Sequence, residues 1–403
     1  MKKESLTNFF EDFLEKESLF LNKKALQSTH TPNNIPHRDS EIKQVANVLA
    51  PCLKLEKPSN LFLYGKTGTG KTLTVKHITQ NLSNISKERN IPLKTIYLNC
   101  KLKKIADTEY RLIAQLIREF DHDIASTGLP TDEVYKTFFN IIDEKKQLVL
   151  LVLDEVDQLV KKTGDEILYN LVRINEELKN SQIALVGISN NLLFIDNLDP
   201  RVRSSLSEEE LIFPPYNALQ IQEILRQRSQ EAFKENSLED GVIEKCAAYA
   251  AREHGDARRA LELLRVAAEI AERNNLLKVK INHIDDAEEK IEKDRVIDTI
   301  SHQPKQSQAT LYAILTLYSK RKESIFTGDI YEIYKNVSSN IGLRPLTQRR
   351  ISDIIAELDM LGVINAKVIS KGRHGRTREI SVLIPDIILQ KTKKILEEGL
   401  ALS

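Results

Sequence analysis

Apolar residues alternate between two spacings over roughly the first half of the chain and then keep helical spacing until two short strand-like runs near its end. Short apolar-rich stretches at Leu61-Phe62-Leu63-Tyr64, Lys94 to Cys100, Leu148 to Leu153 and Ile183 to Ile188 predict strands. The third run has no polar alternation, as expected of a parallel strand covered on both faces. Between these runs the apolar spacing is helical, with Leu73, Val75, Ile78 and Leu82, then Tyr110, Ile113, Leu116, Ile117 and Phe120, then Val134, Phe138, Ile141 and Ile142. Strands alternating with helices predict an α/β base built on a parallel sheet. Residues 211–215 (LIFPP) read as its last short strand, closed by two prolines.

Beyond residue 215 the spacing is helical: Ile221, Ile224 and Leu225 first, then a helix over 257–271 that starts after Gly255-Asp256. The polar stretch from Ser301 to Gln306 introduces a third module. Its helices carry Leu311, Ile314, Leu315 and Tyr318, then Ile330, Ile333, Tyr334 and Val337, then Ile351, Ile354, Ile355, Leu358 and Leu361, with Thr347 as N-cap of the third and Leu346 and Ile351 as its hydrophobic staple. Two strand-like runs, 365–370 and 377–383, flank the basic segment Lys371-Gly372-Arg373-His374-Gly375-Arg376. Three helices and such a hairpin predict a winged helix. At the other end, Leu6, Phe9, Phe10, Phe13 and Leu14 predict an amphipathic helix that docks on the protein itself or on a partner. The expected division is an extension over 1–30, an α/β base over 31–215, an all-α module over 216–300 and a winged-helix domain over 301–403.

Composition changes this picture in one place. With 403 residues, 41% hydrophobic and 29% charged, the chain is long enough for several domains of ordinary globular balance. The net charge of +1 conceals a local imbalance, since residues 341–378 hold eight Lys or Arg residues against Asp353, Glu357 and Asp359. Arg349 falls opposite the apolar stripe of the third helix and Arg350 on its flank, so with Lys371, Arg373, Arg376 and Arg378 they form a surface suited to duplex DNA. The three cysteines, Cys52, Cys100 and Cys246, form no metal or disulfide pattern. No apolar run approaches a bilayer span and no leader pattern is present, so a cytoplasmic, nucleoid-associated protein without membrane contact is expected.

The chemistry is densest at Gly65-Lys66-Thr67-Gly68-Thr69-Gly70-Lys71-Thr72, which fits G-x-x-x-x-G-K-[ST] between a strand and a helix. Gly65, Gly68, Thr69, Gly70, Lys71, Thr72 and Leu73 are therefore the expected cradle for the phosphates of ATP or ADP. Lys71 is placed to reach the β- and γ-phosphates, and the Thr72 hydroxyl to hold Mg²⁺. The apolar strand at 148–153 ends in Asp154-Glu155, where Asp154 suits the metal and Glu155 suits a general base for water. Asn190 follows the next strand. Arg201 and Arg203, in Asp199-Pro200-Arg201-Val202-Arg203, offer a finger toward a neighbouring subunit's phosphates. Tyr216 at the expected hinge, Arg228 and Arg258 on lid helices, and His37 and Arg38 ahead of the cradle complete the candidate nucleotide contacts.

In order, the cradle, LVLLVLDEVD, VGISNN, NLDPRVRSSL, FPPY, GDARRALELLR and the winged helix resemble the archaeal initiator family related to origin recognition complex subunit 1 and the cell division control helicase loader. The resemblance runs from about residue 30 to 390. It implies an AAA+ ATPase base with Asn190 as sensor 1, Arg201 as the finger, Arg258 as sensor 2, and Tyr216 and Arg228 as nucleotide contacts near the lid. It also places an initiator-specific, DNA-touching insertion at Tyr110 to Tyr135, although Ser126, Thr127, Gly128 and Leu129 supply no cation. The implied activity is slow, switch-like ATP hydrolysis that governs binding to double-stranded origin DNA and recruitment or loading of the replicative helicase, with other initiator copies as partners. An ATP-dependent transcription regulator and a clamp-loader-like ATPase are the competing classes.

Overall fold

The structure is a computed structural model that describes residues 17–27, 30–32, 34–101, 107–125, 128–206, 208–320, 325–370, 376–384 and 386–402. The amphipathic helix expected over Leu6 to Leu14 lies outside the described residues, as do Ser126, Thr127, Lys371 and Arg373. The chain separates into two compact units, Met1–Ile284 and Asp285–Ser403.

The first unit is built on five parallel strands, β1 (Asn60–Tyr64), β2 (Leu93–Asn99), β3 (Gln147–Asp154), β4 (Ser181–Ser189) and β5 (Glu208–Ile212), in the order β2-β3-β4-β1-β5. β3 and β4 are central, which explains their unbroken apolar runs. Leu148 to Leu153 are all buried, and each such side chain contributes about 1.5–3 kcal/mol relative to leaving it in water. α1 (Asp39–Leu49) and α2 (Lys71–Glu88) pack on one sheet face through Val45, Leu49, Val75, Ile78 and Leu82. α3 (Glu109–Arg118), α4 (Thr131–Asp143), α5 (Val156–Thr163), α6 (Glu166–Arg173) and α7 (Pro200–Leu206) join the core of the other.

β5 corrects the expected last strand. It spans 208–212 and stops before the prolines, because β5 is an edge strand on which Glu209 and Glu210 remain exposed. Phe213 still donates its N–H to the Tyr64 carbonyl, whereas Pro214 and Pro215 have no N–H to continue the ladder.

The helices that follow are α8 (Ala218–Ala232), α9 (Val242–Arg252), α10 (Ala257–Arg273) and α11 (Ile281–Ser301). Asn217 and Gln220 form a reciprocal capping box at the start of α8. Residues 17–26 strap across this bundle: Leu21 donates its N–H to Ala232, Phe20 stacks on Phe233 at 5.0 Å, and Lys23 pairs with Glu269.

In the second unit, α12 (Lys305–Lys320), α13 (Thr327–Asn340) and α14 (Gln348–Met360) pack against a sheet ordered β6 (Ile325–Phe326), β8 (Arg376–Val382), β7 (Ile364–Ser370). α14 buries Ile351, Ile354, Ile355 and Leu358, and Thr347 caps it by accepting the Arg350 N–H. β6 and the terminal helix α15 (Asp386–Leu400) complete the winged helix.

Candidate functional site

Three strand ends lie level at the carboxyl edge of the five-stranded sheet. The register pairs Tyr64 with Ser189 and Asp154 with Ile188, so the loop after β1, the acidic pair after β3 and Asn190 after β4 open onto one cavity. Its volume is about 420 Å³, within the range of small-molecule sites. Residues 68–73, Asp154, Glu155 and Asn190 line it from the sheet side, and Tyr216, Arg228 and Arg258 from the helical side.

The cradle requires glycine where it bends. Gly68 and Gly70 have φ of +69° and +96°, and a Cβ on Gly68 would stand 1.7 Å from Asp256 Oδ1. α2 begins at Gly70 with neither a side-chain cap nor an acid in its first turn, which leaves its first N–H groups to a phosphate. The Lys71 ammonium is buried and donates to the carbonyls of Gly65 at 2.6 Å and Lys66 at 2.7 Å and to Asn190 Oδ1 at 3.0 Å. All three acceptors are uncharged. Desolvation, with the Arg258 cation acting in the same sense, pushes the Lys71 pKa down to about 8. A polyphosphate would supply the missing countercharge.

Asp154 gathers the metal-site geometry. Its Oδ2 accepts the Thr72 hydroxyl at 3.0 Å and the Tyr97 hydroxyl at 2.5 Å, while Oδ1 accepts the Glu155 N–H at 3.0 Å. A hydroxyl and a carboxylate are hard oxygen donors, and this set fits Mg²⁺. Burial, followed by the bond and charge of Asp154, raises the Tyr97 phenol above its usual range, so it remains a donor. Glu155 is held at φ 56°, ψ 46°, a left-handed conformation that costs a non-glycine residue about 1–2 kcal/mol and places its carboxylate at the cavity wall.

The helical side touches the cradle directly. Asp256 caps α10 by accepting the N–H groups of Arg258 and Arg259, and its other oxygen accepts the Thr67 hydroxyl at 3.1 Å. Arg258 is thereby fixed in the first turn of a helix that faces the phosphate cradle. Arg228 is buried, donates through Nη2 to the His30 carbonyl at 3.2 Å, and leaves Nη1 without a partner at the cavity. Burial lowers its pKa. Tyr216 is buried beneath the Arg38 guanidinium, 4.0 Å from its ring centre, and burial raises its phenol pKa.

His37 and Arg38 do not line the cavity. Arg38 is 2% exposed and spans the Thr69 carbonyl at 2.9 Å, the Pro214 carbonyl at 2.5 Å and Glu41 at 2.8 Å, so it braces the cradle against the segment that follows β5. His37 stands 2.9 Å from Glu223 at ion-pair distance. Gly65 contributes its carbonyl to Lys71. Arg201, with an 87% exposed side chain on α7, is bonded to Asp199 and stands outside the cavity lining; Arg203 pairs with Asp196. Lining residues that the motifs did not indicate include Lys76, Tyr97, Asn99, Gln227, Glu231 and several in the 30–36 segment. Tyr97 lay within a predicted strand, but its proximity to Asp154 follows from the pairing of β2 with β3, which periodicity does not report.

In the second unit Arg349 is exposed on α14, whereas Arg350 is held by Asp353 at 3.7 Å and Glu357 at 3.4 Å. Arg376 and Arg378 stand two positions apart on β8, opposite Ser370 and Val368. Among the described residues no helix is long and apolar enough to cross a membrane.

Family models match three successive parts of the chain: an AAA domain at residues 55–195, a Cdc6 AAA+ ATPase-type lid domain at 222–289 and a CDC6 C-terminal winged helix domain at 298–391. The chain is 52% identical over 379 residues to the ORC1-type DNA replication protein of Thermococcus onnurineus, covering 93% of this chain and 91% of that one. It is 46% identical over 400 residues to ORC1-type DNA replication protein 1 of Methanosarcina mazei, covering 99% and 95%. Among solved structures it is similar to the Aeropyrum pernix ORC1 protein in complex with DNA, with a TM-score of 0.85, 41% identity and coverage of 95% and 98%.

Proposed function

Because the chain belongs to the family of ORC1-type DNA replication proteins and carries its AAA+ ATPase domain, we propose that it is an ATP-regulated replication initiator that binds double-stranded origin DNA and recruits or loads the replicative helicase. The observation that carries the ATP-regulated part is the convergence of the cradle, Asp154, Glu155 and Asn190 with Arg258 of α10 on a single cavity. A nucleotide there would touch the sheet and the helical bundle together, so its state can alter how the two meet. Residues 31–215 then act as base, 216–300 as lid and 301–403 as the DNA-reading winged helix, with other initiator copies as neighbours on the origin.

In this reading the cradle N–H groups and Lys71 hold the phosphates, and Thr72 and Asp154 would hold Mg²⁺, which when bound would supply positive charge against them. Glu155 takes the proton of the attacking water, Asn190 orients that water or the γ-phosphate, and Arg258 stabilises charge from the lid. Arg228 presents its unpartnered N–H to the nucleotide. Arg201, exposed and away from its own cavity, serves a neighbouring copy. Support for DNA contact comes from the basic composition around α14 and the wing, and from the Aeropyrum pernix ORC1 protein having been solved with DNA.

The test is duplex affinity with ATP or ADP bound, together with capture of the helicase, in the wild type and in Glu155→Gln. The expected results are ATP binding retained without turnover in the variant, and affinity or helicase capture that differs between ATP and ADP by about fivefold or more, a typical coupling of 1 kcal/mol. Normal turnover in Glu155→Gln would remove Glu155 as the base. Equal behaviour with the two nucleotides would remove the ATP regulation.

A further inference from the structure

Tyr97 is absent from the sequence motifs, yet its hydroxyl stands 2.5 Å from the Asp154 oxygen that also accepts Thr72. β2 runs parallel to β3 with Asn99 opposite Asp154, which sets Tyr97 one pleat back from the strand tip and lets its side chain reach across. Its ring is held in turn by the Lys76 ammonium, 4.5 Å from the ring centre, on the first turns of α2.

The lone pairs of Asp154 can be counted. Each carboxylate oxygen offers about two acceptor positions. Oδ2 uses its two on Thr72 and Tyr97, and Oδ1 uses one on the Glu155 N–H, which leaves a single position on Oδ1. The Thr72 proton is committed to Asp154, so the lone pairs of the Thr72 hydroxyl remain for a cation. Without the phenol, only the Thr72 hydroxyl and the Glu155 N–H hold the carboxylate against rotation about its Cβ–Cγ bond, and the hydroxyl can itself rotate with it.

We propose that Tyr97 is a positioning residue for the Mg²⁺ site, fixing the Asp154 carboxylate so that Thr72 and the remaining Asp154 position face the same cation. The role rests on the nucleotide site described above. It predicts that Tyr97 acts on metal affinity and leaves the affinity for the nucleotide itself unchanged, because its hydroxyl is spent on Asp154.

The experiment is Tyr97→Phe, which keeps the ring and its contact with Lys76, measured by ADP affinity in EDTA and across an Mg²⁺ titration. The expected result is a rise of about tenfold in half-saturating Mg²⁺, the lower end of the usual loss when an outer hydrogen-bond partner of a metal site is removed. Affinity in EDTA and the thermal midpoint of the nucleotide-free protein should stay at wild-type values. An unchanged or lowered Mg²⁺ requirement overturns the role, as does an equal fall in affinity with and without metal. If the wild type itself binds ADP without any Mg²⁺ dependence, the metal site fails and this role with it. As a second readout, Mn²⁺ bound with ADP should give an altered paramagnetic resonance line shape in the variant, and identical spectra would contradict the proposal.

Discussion

The Lys71 ammonium donates to Asn190 Oδ1 at 3.0 Å, joining the phosphate cradle to the tip of β4 across 119 residues of chain. A γ-phosphate entering the cavity competes for the same ammonium and releases the Asn190 amide to contact phosphate or water. Asn190→Ala should therefore leave nucleotide affinity within about threefold while lowering turnover about a hundredfold, within the range of lost transition-state donors. Single-turnover hydrolysis beside equilibrium binding separates the two effects. A fall in both by the same factor would make Asn190 a binding residue only.

Lys71 gives a pH signature with a definite sign. Its pKa is lowered to about 8 in the folded protein, below the unfolded value, so its charged form is destabilising at low pH and the protein gains stability as pH rises through about 8. Phosphate binding favours the charged form. ADP affinity should thus fall about tenfold between pH 7 and 9, with proton uptake approaching one per nucleotide at the upper end. Calorimetry in buffers of different ionisation heat checks this, and a buffer-independent heat at pH 9 would contradict it.

Arg201 and Arg203 share α7 but differ in their surroundings, since the Arg201 side chain is 87% exposed against 51% for Arg203. Arg201→Ala should bind nucleotide as the wild type does and, when isolated, turn it over at the wild-type rate. Its deficit, about a hundredfold or more, should emerge only when several copies share one DNA, because a finger acts on the neighbour's phosphates. Hydrolysis against protein concentration on long duplex is the measurement. A deficit confined to Arg203→Ala would reassign the finger.

On the winged helix, Arg350 must surrender its contacts with Asp353 and Glu357 before it meets DNA, whereas Arg349 has no acid partner among the described residues. Arg349→Ala should cost about 1–2 kcal/mol of duplex affinity and Arg350→Ala less than half of that. Arg373→Ala combined with Arg376→Ala should flatten the plot of log affinity against log salt by about two units, one for each lost phosphate contact. Competition binding over a salt series reads both. An unchanged slope would place the wing away from phosphate.

The cradle, the central strands and the helices of the winged helix were legible in the sequence because each is a local pattern. Glycine spacing, an unbroken apolar run ending in Asp154-Glu155, and a Thr347 cap before a periodic stripe need no knowledge of partners. What stayed hidden depends on long-range packing. Arg38 reads as a cation beside a turn, but Thr69, Pro214 and Tyr216 enclose it, and these buried contacts make it a brace of the cradle. Tyr97 reads as one aromatic in a half-buried strand until strand order sets β2 beside β3. The last base strand was misplaced because an edge position tolerates the glutamates of 208–210, which an apolar template rejects.

The most direct test of origin binding is to map where the protein sits on its chromosome. Occupancy confined to repeated elements beside a replication start, lost when Arg349, Arg373 and Arg376 are replaced together by alanine, is the predicted result. Occupancy scattered over promoters, with no enrichment at a replication start, would contradict it.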